Sequence, residues 1–220
     1  MQKLIIFGDS ILKGVMKTEH GYHLCSDHNF DMLSQQGVSV ISHAKMGATT
    51  ETGLAAVQAK LPPCDRDTTV LLDFGGNDCN HNWSDVAKAP DQNHLPAVPP
   101  ERFISLYTQL IKTVQSAGAR VAVASLIPLD ADRFFQSISQ RNDAQAILHW
   151  LGDKYHLYRW QESYNVLVCR LARALGCTMV DLRTPFLENA DFSSLIGADG
   201  IHPTQAGHDL IHAVIRTALN

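Results

Sequence analysis

No stretch of the 220-residue chain comes near the roughly 18 consecutive apolar residues that a membrane-spanning helix needs. The chain reads as strand from Lys3 onward, with no apolar leader or cleavage site before it, so a cytoplasmic protein without a membrane partner is expected. Charge of one sign is scarce too. Eighteen Lys and Arg stand against 22 Asp and Glu, a formal net charge of −4, and the basic residues form no run. That leaves no positive field to gather a phosphate backbone, and no nucleic-acid partner is expected. The five cysteines, Cys25, Cys64, Cys79, Cys169 and Cys177, are odd in number and contain no CxxC, which argues for reduced thiols rather than a disulfide framework. Repeats, low-complexity tracts and domain-splitting linkers are missing as well, and residues 1–220 are read as one domain.

What is present is an alternation of short apolar runs with helical patterns. LIIF (4–7), VSVIS (38–42), TVLLDF (69–74), RVAVASL (120–126) and CTMVDL (177–182) are near-continuous in apolarity, as strands buried on both faces are. Between them, 51–61, 99–117, roughly 131–175 and 203–219 carry i, i+3, i+4 periodicity. Strand followed by helix throughout predicts an α/β protein, a five-stranded parallel sheet in a three-layer α/β/α sandwich of flavodoxin-like type. Two segments exceed what that plan needs: a polar loop over 78–98 and a helical excursion over 127–154. Both leave carboxyl ends of strands, where open parallel sheets bind ligands.

Four segments at that edge carry chemistry. Ser10, in Gly8-Asp9-Ser10, follows the first strand and is placed to act as a nucleophile, or equally as a helix cap. After the second strand, His43 to Thr50 brings Gly47, whose N–H faces the same edge. Gly75-Gly76-Asn77-Asp78 ends the third strand with a tight turn and an amide side chain that can donate to a developing oxyanion. Near the C-terminus, Asp199 precedes His202 by three residues on a turn, the spacing that lets a carboxylate accept from the imidazole Nδ1 and leave Nε2 as a base. Asp9 reads as a turn or cap residue.

Taken together, GDSI, KMGATT, GGND and DGIHPT resemble the four signature blocks of the SGNH hydrolase superfamily, the GDSL esterase/lipase family, in order and over almost the entire chain. Tyr164-Asn165, the helix after them and MVDL are similar to the family's penultimate helix–strand unit. Ile11 stands where the name motif has leucine, and the 127–154 insertion sets the chain apart from minimal members. The GxSxG elbow of the α/β-hydrolases does not occur. The resemblance implies a serine esterase with Ser10, Asp199 and His202 as catalytic residues, an oxyanion hole from Ser10, Gly47 and Asn77, and no cofactor or metal.

For substrate, the resemblance allows short-chain acyl esters, acetylated carbohydrates, lysophospholipids and thioesters. His81, Trp83 and His94 in the 78–98 loop favour a sugar-like alcohol carrying a small acyl group, with His81 and Trp83 as substrate contacts. The expected partner is thus a small-molecule or carbohydrate ester, and a homo-oligomer is compatible with the sequence. A rival of another class is a non-catalytic carbohydrate-binding protein on the same fold. His208 and His212, at i, i+4 on the last helix, imitate a zinc helix but show no third ligand in sequence, so they read as a partly exposed helix face. The segment with His20, His23, Cys25, Asp27 and His28 has no standard ligand spacing and reads as a polar loop or helix end. Phe134, Phe135, Trp150, Tyr155, Tyr158 and Trp160 are assigned to core, interface or pocket.

Overall fold

A computed structural model describes residues 1–219. The chain opens with β1 (Lys3–Gly8), β2 (Val15–Thr18) and β3 (Gly21–Leu24), followed by α1 (Asp31–Ser34), β4 (Ser39–Ser42), α2 (Thr50–Lys60) and β5 (Thr68–Asp73). Next come α3 (Trp83–Lys88), α4 (Pro100–Ser116), β6 (Arg120–Ala124), α5 (Ala131–Ser139), α6 (Ala144–Leu151) and α7 (His156–Ala174). The chain ends with β7 (Thr178–Val180), α8 (Arg183–Leu187), α9 (Phe192–Leu195) and α10 (Gln205–Leu219). Strands β4, β1, β5, β6 and β7 lie side by side in that order, every pair parallel. The expected five-stranded α/β fold is therefore present, and each of its strands overlaps the run read from sequence.

Alternation along the strands divides the interior. Ile5, Phe7, Val70, Leu72, Val121 and Val123 point to one face and pack with α2, α4 and α7. Leu4, Ile6, Leu71, Ala122 and Ala124 point to the other, against Phe186, Leu195, Ile211 and Ile215 of the C-terminal helices. Strands β1, β5 and β6, buried on both sides, cannot alternate apolar with polar, which is why their runs are unbroken, whereas β4 at the sheet edge is largely exposed and is not the doubly buried strand that VSVIS suggested. A third, smaller core of Val86, Leu129, Ala131, Ile147, Leu151 and Leu157 is built by the excursion between β6 and α7 together with α3 and the first turn of α7.

Four sequence expectations are corrected. The turn after Ser10 does not enter a helix: Lys13 N–H donates to Asp9 O, Gly14 to Ile11 O and Val15 to Ser10 O, and the chain runs on into β2. The segment read as a polar loop or helix end contains a small antiparallel hairpin, β2 with β3, whose largely exposed residues give no apolar alternation. The periodic stretch over 131–175 breaks not only where the excursion ends at 154, just before α7, but also within the excursion, because Asp143 caps α6 by accepting from Gln145 and Ala146 N–H; Gly152 ends that helix at φ 77°. The 78–98 loop holds α3, capped by Asn82.

Candidate active site

The carboxyl edge of the sheet assembles the four segments. Register pairs Gly8 with Asp73, so the chain after β1 and the chain after β5 emerge side by side, and Asp9-Ser10 meets Gly76-Asn77. The loop after β4 is tied to the same edge by His43 N–H donating to Ile6 O and Lys45 N–H to Gly8 O. Residues 193–202 approach from the far end of the sequence. They are held by Arg133, which donates to Ser193 O and Ile196 O, and by Asp130 N–H donating to Gly200 O at 2.8 Å.

Ser10 Oγ lies 3.0 Å from His202 Nε2, and His202 Nδ1 lies 2.7 Å from Asp199 Oδ2. The other Asp199 oxygen accepts the backbone N–H groups of Ile201 (3.2 Å) and His202 (3.1 Å), which fixes the carboxylate relative to the ring it faces. Burial would raise the Asp199 carboxyl, but the bond from His202, the charge of that ring and the two backbone N–H groups more than offset it and hold the acid below its ordinary range. All three side chains are buried, and the edge of the Tyr22 ring approaches the His202 ring with centroids 5.5 Å apart.

Asn77 Nδ2 donates to Ala48 O and to Asp9 Oδ2, both at 3.0 Å. Asp9 has more than the turn role expected of it. Its Oδ1 accepts from Ile11 N–H at 2.8 Å, shaping the turn that carries Ser10, while its Oδ2 orients the Asn77 amide. Burial pushes the Asp9 carboxyl up to about 6. Two further buried acids lie nearby: burial and then the Asp9 charge raise Asp73 well above normal, and burial lifts Asp78 to about 6 against the opposing bonds from Thr50. Gly47 sits at φ 76°, a conformation that favours glycine, one residue before the Ala48 carbonyl that Asn77 engages. It does not line the cavity beside Ser10. Neither the Ser10 nor the Gly47 N–H has a hydrogen-bond partner among the described residues.

That cavity, about 90 Å³, opens against Ser10, Asn77 and His202. Its walls are mainly apolar, from Leu126 and Ile127 at the end of β6, Phe134 and Trp150 of the excursion, and Trp83 and Trp160. Indole N–H groups contribute nothing to its polarity, since Trp83 donates to Asn80 Oδ1, Trp150 to Gln92 O and Trp160 to Cys79 O. His81 packs against Trp83, Trp150 and Trp160 with its Nδ1 buried and unpartnered; burial lowers it to about 4, so the ring is neutral at pH 7. Of these lining residues sequence reasoning named His81 and Trp83, gave Phe134, Trp150 and Trp160 to core, interface or pocket without choosing, and missed Gln161 and, behind it, Arg183. Arg183 donates to Leu126 O and Gln161 Oε1 and pairs with Glu162, while Gln161 Nε2 donates to Ile127 O, so the floor of the cavity is pinned from α7 and α8. The sign that could have found Arg183 is a lone cation directly after the apolar run of β7.

The model of the GDSL-like lipase/acylhydrolase family matches residues 6–210. The chain belongs to this family. The structural relatives of this GDSL-family protein agree in fold. A lipase/acylhydrolase from Enterococcus faecalis superposes with a TM-score of 0.69 at 20% identity, covering 100% of this chain and 95% of the other. An acetyl xylan esterase from Geobacillus stearothermophilus gives 0.68 at 16% identity over 100% and 94%. An enzyme from the metagenome of Lake Arreo gives 0.65 at 19% identity over 99% and 94%. No curated protein matches the chain. No helix among the described residues is long and apolar enough to cross a membrane.

Proposed function

We propose that this GDSL-family hydrolase cleaves short-chain carboxylic esters by acyl transfer through Ser10. The observation that carries the proposal is the unbroken run of hydrogen bonds from Ser10 Oγ to His202 to Asp199, with the two distances 3.0 and 2.7 Å. In this reading His202 Nε2 takes the Ser10 proton as Oγ attacks the ester carbonyl carbon. Asp199 holds the ring with Nδ1–H toward itself and stabilises the imidazolium that forms. The carbonyl oxygen, now negative, is received by the free N–H groups of Ser10 and Gly47 and by Asn77 Nδ2, where it takes over the hydrogen that Asn77 donates to Asp9. His202 then gives its proton to the departing alcohol oxygen. Water, deprotonated by the same ring, attacks the acyl-serine and releases the acid.

The size and lining of the cavity bear on the substrate. About 90 Å³ of mainly apolar space beside Ser10 suits an acetyl or similarly short acyl group and is small against the roughly 300–1,000 Å³ of pockets that engulf drug-sized ligands. Aromatic faces of Trp83 and Trp150 beside the His81 ring favour an alcohol that offers a flat C–H face, as a sugar does. A non-catalytic carbohydrate-binding role would need the cavity but not the Ser10–His202–Asp199 bonds.

The test compares wild type with Ser10→Ala on p-nitrophenyl esters of increasing acyl length and on acetylated sugars. We expect turnover to be greatest at two to four acyl carbons, as an order-of-magnitude limit from the cavity, and to be lost in Ser10→Ala. Equal rates for the two proteins would end the esterase reading, and a maximum at long chains would end the short-acyl one.

A further inference from the structure

Away from the ester site, three residues from opposite ends of the sequence converge. Cys25 follows β3; His208 and His212 lie one turn apart on α10. The Cys25 sulfur and one nitrogen from each ring lie within 4.8 Å of one another, and all three side chains are buried. His208 and His212 are therefore not the partly exposed face that the sequence suggested, and the third ligand that sequence spacing did not offer comes from the segment after the hairpin.

The hydrogen bonding decides what the cluster can hold. His208 is fully buried; its Nε2 lies 3.1 Å from Val15 O, a contact that requires Nε2 to carry the proton. Its Nδ1 is then a bare lone pair without a partner among the described residues. His212 turns Nδ1 toward Asp27 Oδ2 at 3.7 Å, which leaves its Nε2 as the other donor nitrogen. Ligating histidines nearly always give their second N–H to a carbonyl or a carboxylate; His208 gives it to the Val15 carbonyl, and the Asp27 carboxylate faces His212 Nδ1 from just beyond hydrogen-bond distance. The sulfur is held from behind as well: a Cβ placed on Gly14, at φ +80°, would come within 2.8 Å of Cys25 Sγ and 2.7 Å of His28 Cβ, so the backbone there is shaped closely around the thiol. Asp27 itself is anchored by accepting Asp31 N–H at 2.6 Å, and Ser26 N–H donates to Gln205 Oε1, tying this segment to the start of α10.

We propose that Cys25, His208 and His212 form a site for a zinc-like divalent transition metal, with Asp27 as the residue that positions His212. One thiolate and two neutral imidazoles suit zinc and its neighbours rather than magnesium or calcium, which take oxygen. Tetrahedral bonds of about 2.0–2.3 Å require ligand atoms roughly 3.3–3.6 Å apart, so binding draws the three groups together by about 1 Å. The metal displaces the thiol proton of Cys25 to solvent and forms one sulfur and two nitrogen bonds, with water in the fourth position. Because Tyr22 of β3 touches the His202 ring and α10 begins three residues after His202, the metal would clamp together two elements that flank the catalytic base without entering the ester chemistry.

The experiment titrates the full chain, stripped with a chelator, first with Co²⁺ and then with Zn²⁺. The expected result is one equivalent of Co²⁺ with a thiolate-to-cobalt charge-transfer band, displacement by Zn²⁺ and a rise in Tm on zinc binding. Cys25→Ser should remove the band, and His212→Gln should weaken binding at least as much as Asp27→Asn, for which a loss of about 10–100-fold is expected. Circular dichroism and ester hydrolysis report whether each variant folds; if Cys25→Ser does not, the other two variants carry the test. Absence of stoichiometric Co²⁺ binding overturns the proposal, and so does binding that persists unchanged in the folded variants, which would assign it to surface histidines such as His20 and His23.

Discussion

Replacing Asp78 by Asn should make the protein more stable at neutral pH and leave the gain nearly absent in acid. Asp78 is completely buried at the end of the Gly75-Gly76-Asn77 turn; its Oδ1 accepts both the N–H and the hydroxyl of Thr50, and its Oδ2 has no partner. Asparagine keeps the Oδ1 acceptor and puts an amide where an unpartnered oxygen already stands, so little packing or bonding is lost. What changes is the charge. Burial raises this carboxyl from 3.8 to about 6, and a shift of that size costs the folded state about 3 kcal/mol once the group is ionised. Between those two values the folded protein binds the proton more tightly than the unfolded chain does. Wild-type stability conferred by the protonated acid is therefore complete below about pH 4 and lost as pH rises through about 6. Asp78→Asn has no such loss, so the difference between the proteins should open by about 3 kcal/mol from pH 4 to pH 7. Removing the charge also relieves the repulsion that helps raise Asp9, which acts in the same direction. Urea unfolding followed by tryptophan fluorescence at a series of pH values measures the gap. A gap that is flat with pH, or one that narrows toward neutrality, would refute the reasoning.

Asn77→Ala should lower kcat by about 10²–10³ with KM little changed, because the amide, held by Ala48 O and Asp9 beforehand, turns a hydrogen to the substrate oxygen only once the oxyanion forms; steady-state kinetics on an acetyl ester would show a KM effect instead if Asn77 merely binds substrate. Gly200→Ala should impair both stability and turnover. The added Cβ would lie 2.3 Å from Phe134 N and 2.6 Å from Asp130 O, and the φ of +79° alone costs about 1–3 kcal/mol for a side-chain-bearing residue, so both Tm and kcat should fall, and an unchanged kcat would mean that the Asp199–His202 turn is not held by the excursion behind it.

Much of this site was readable in the chain because its parts are local. Asp199 and His202 are three residues apart on one turn, and Ser10, Gly47 and Asn77 each follow a strand by two to five residues, so the strand's run fixes which edge they leave from. A parallel sheet then brings those ends together without further information. The hairpin escaped because Gly21-Tyr22-His23-Leu24 is largely exposed and buries no alternating face, so its strands rest on backbone pairing around Gly21 rather than on a pattern of side chains. The end of the excursion at 154 was legible, whereas the break between α5 and α6 was outweighed by continuous amphipathic periodicity although Asp143 was there as a cap. Contacts such as Cys25 with His208, or Arg133 with Ile196, join residues far apart in sequence, and their spacing carries no signal until the sheet has set where the chain returns.

The small core of Val86, Ile147, Leu151 and their neighbours has a consequence for how the molecule can be altered. The lobe buries an interior apart from the two main cores, sharing it with the start of α7 through Leu157 and with the catalytic turn through Ile201. Its aromatic wall, Phe134 and Trp150, can be recut one side chain at a time, provided Asp130 and Arg133 keep their grip on the turn that carries Asp199 and His202: what the protein accepts can be altered where the lobe faces the cavity, and how it cleaves is disturbed where the lobe meets that turn.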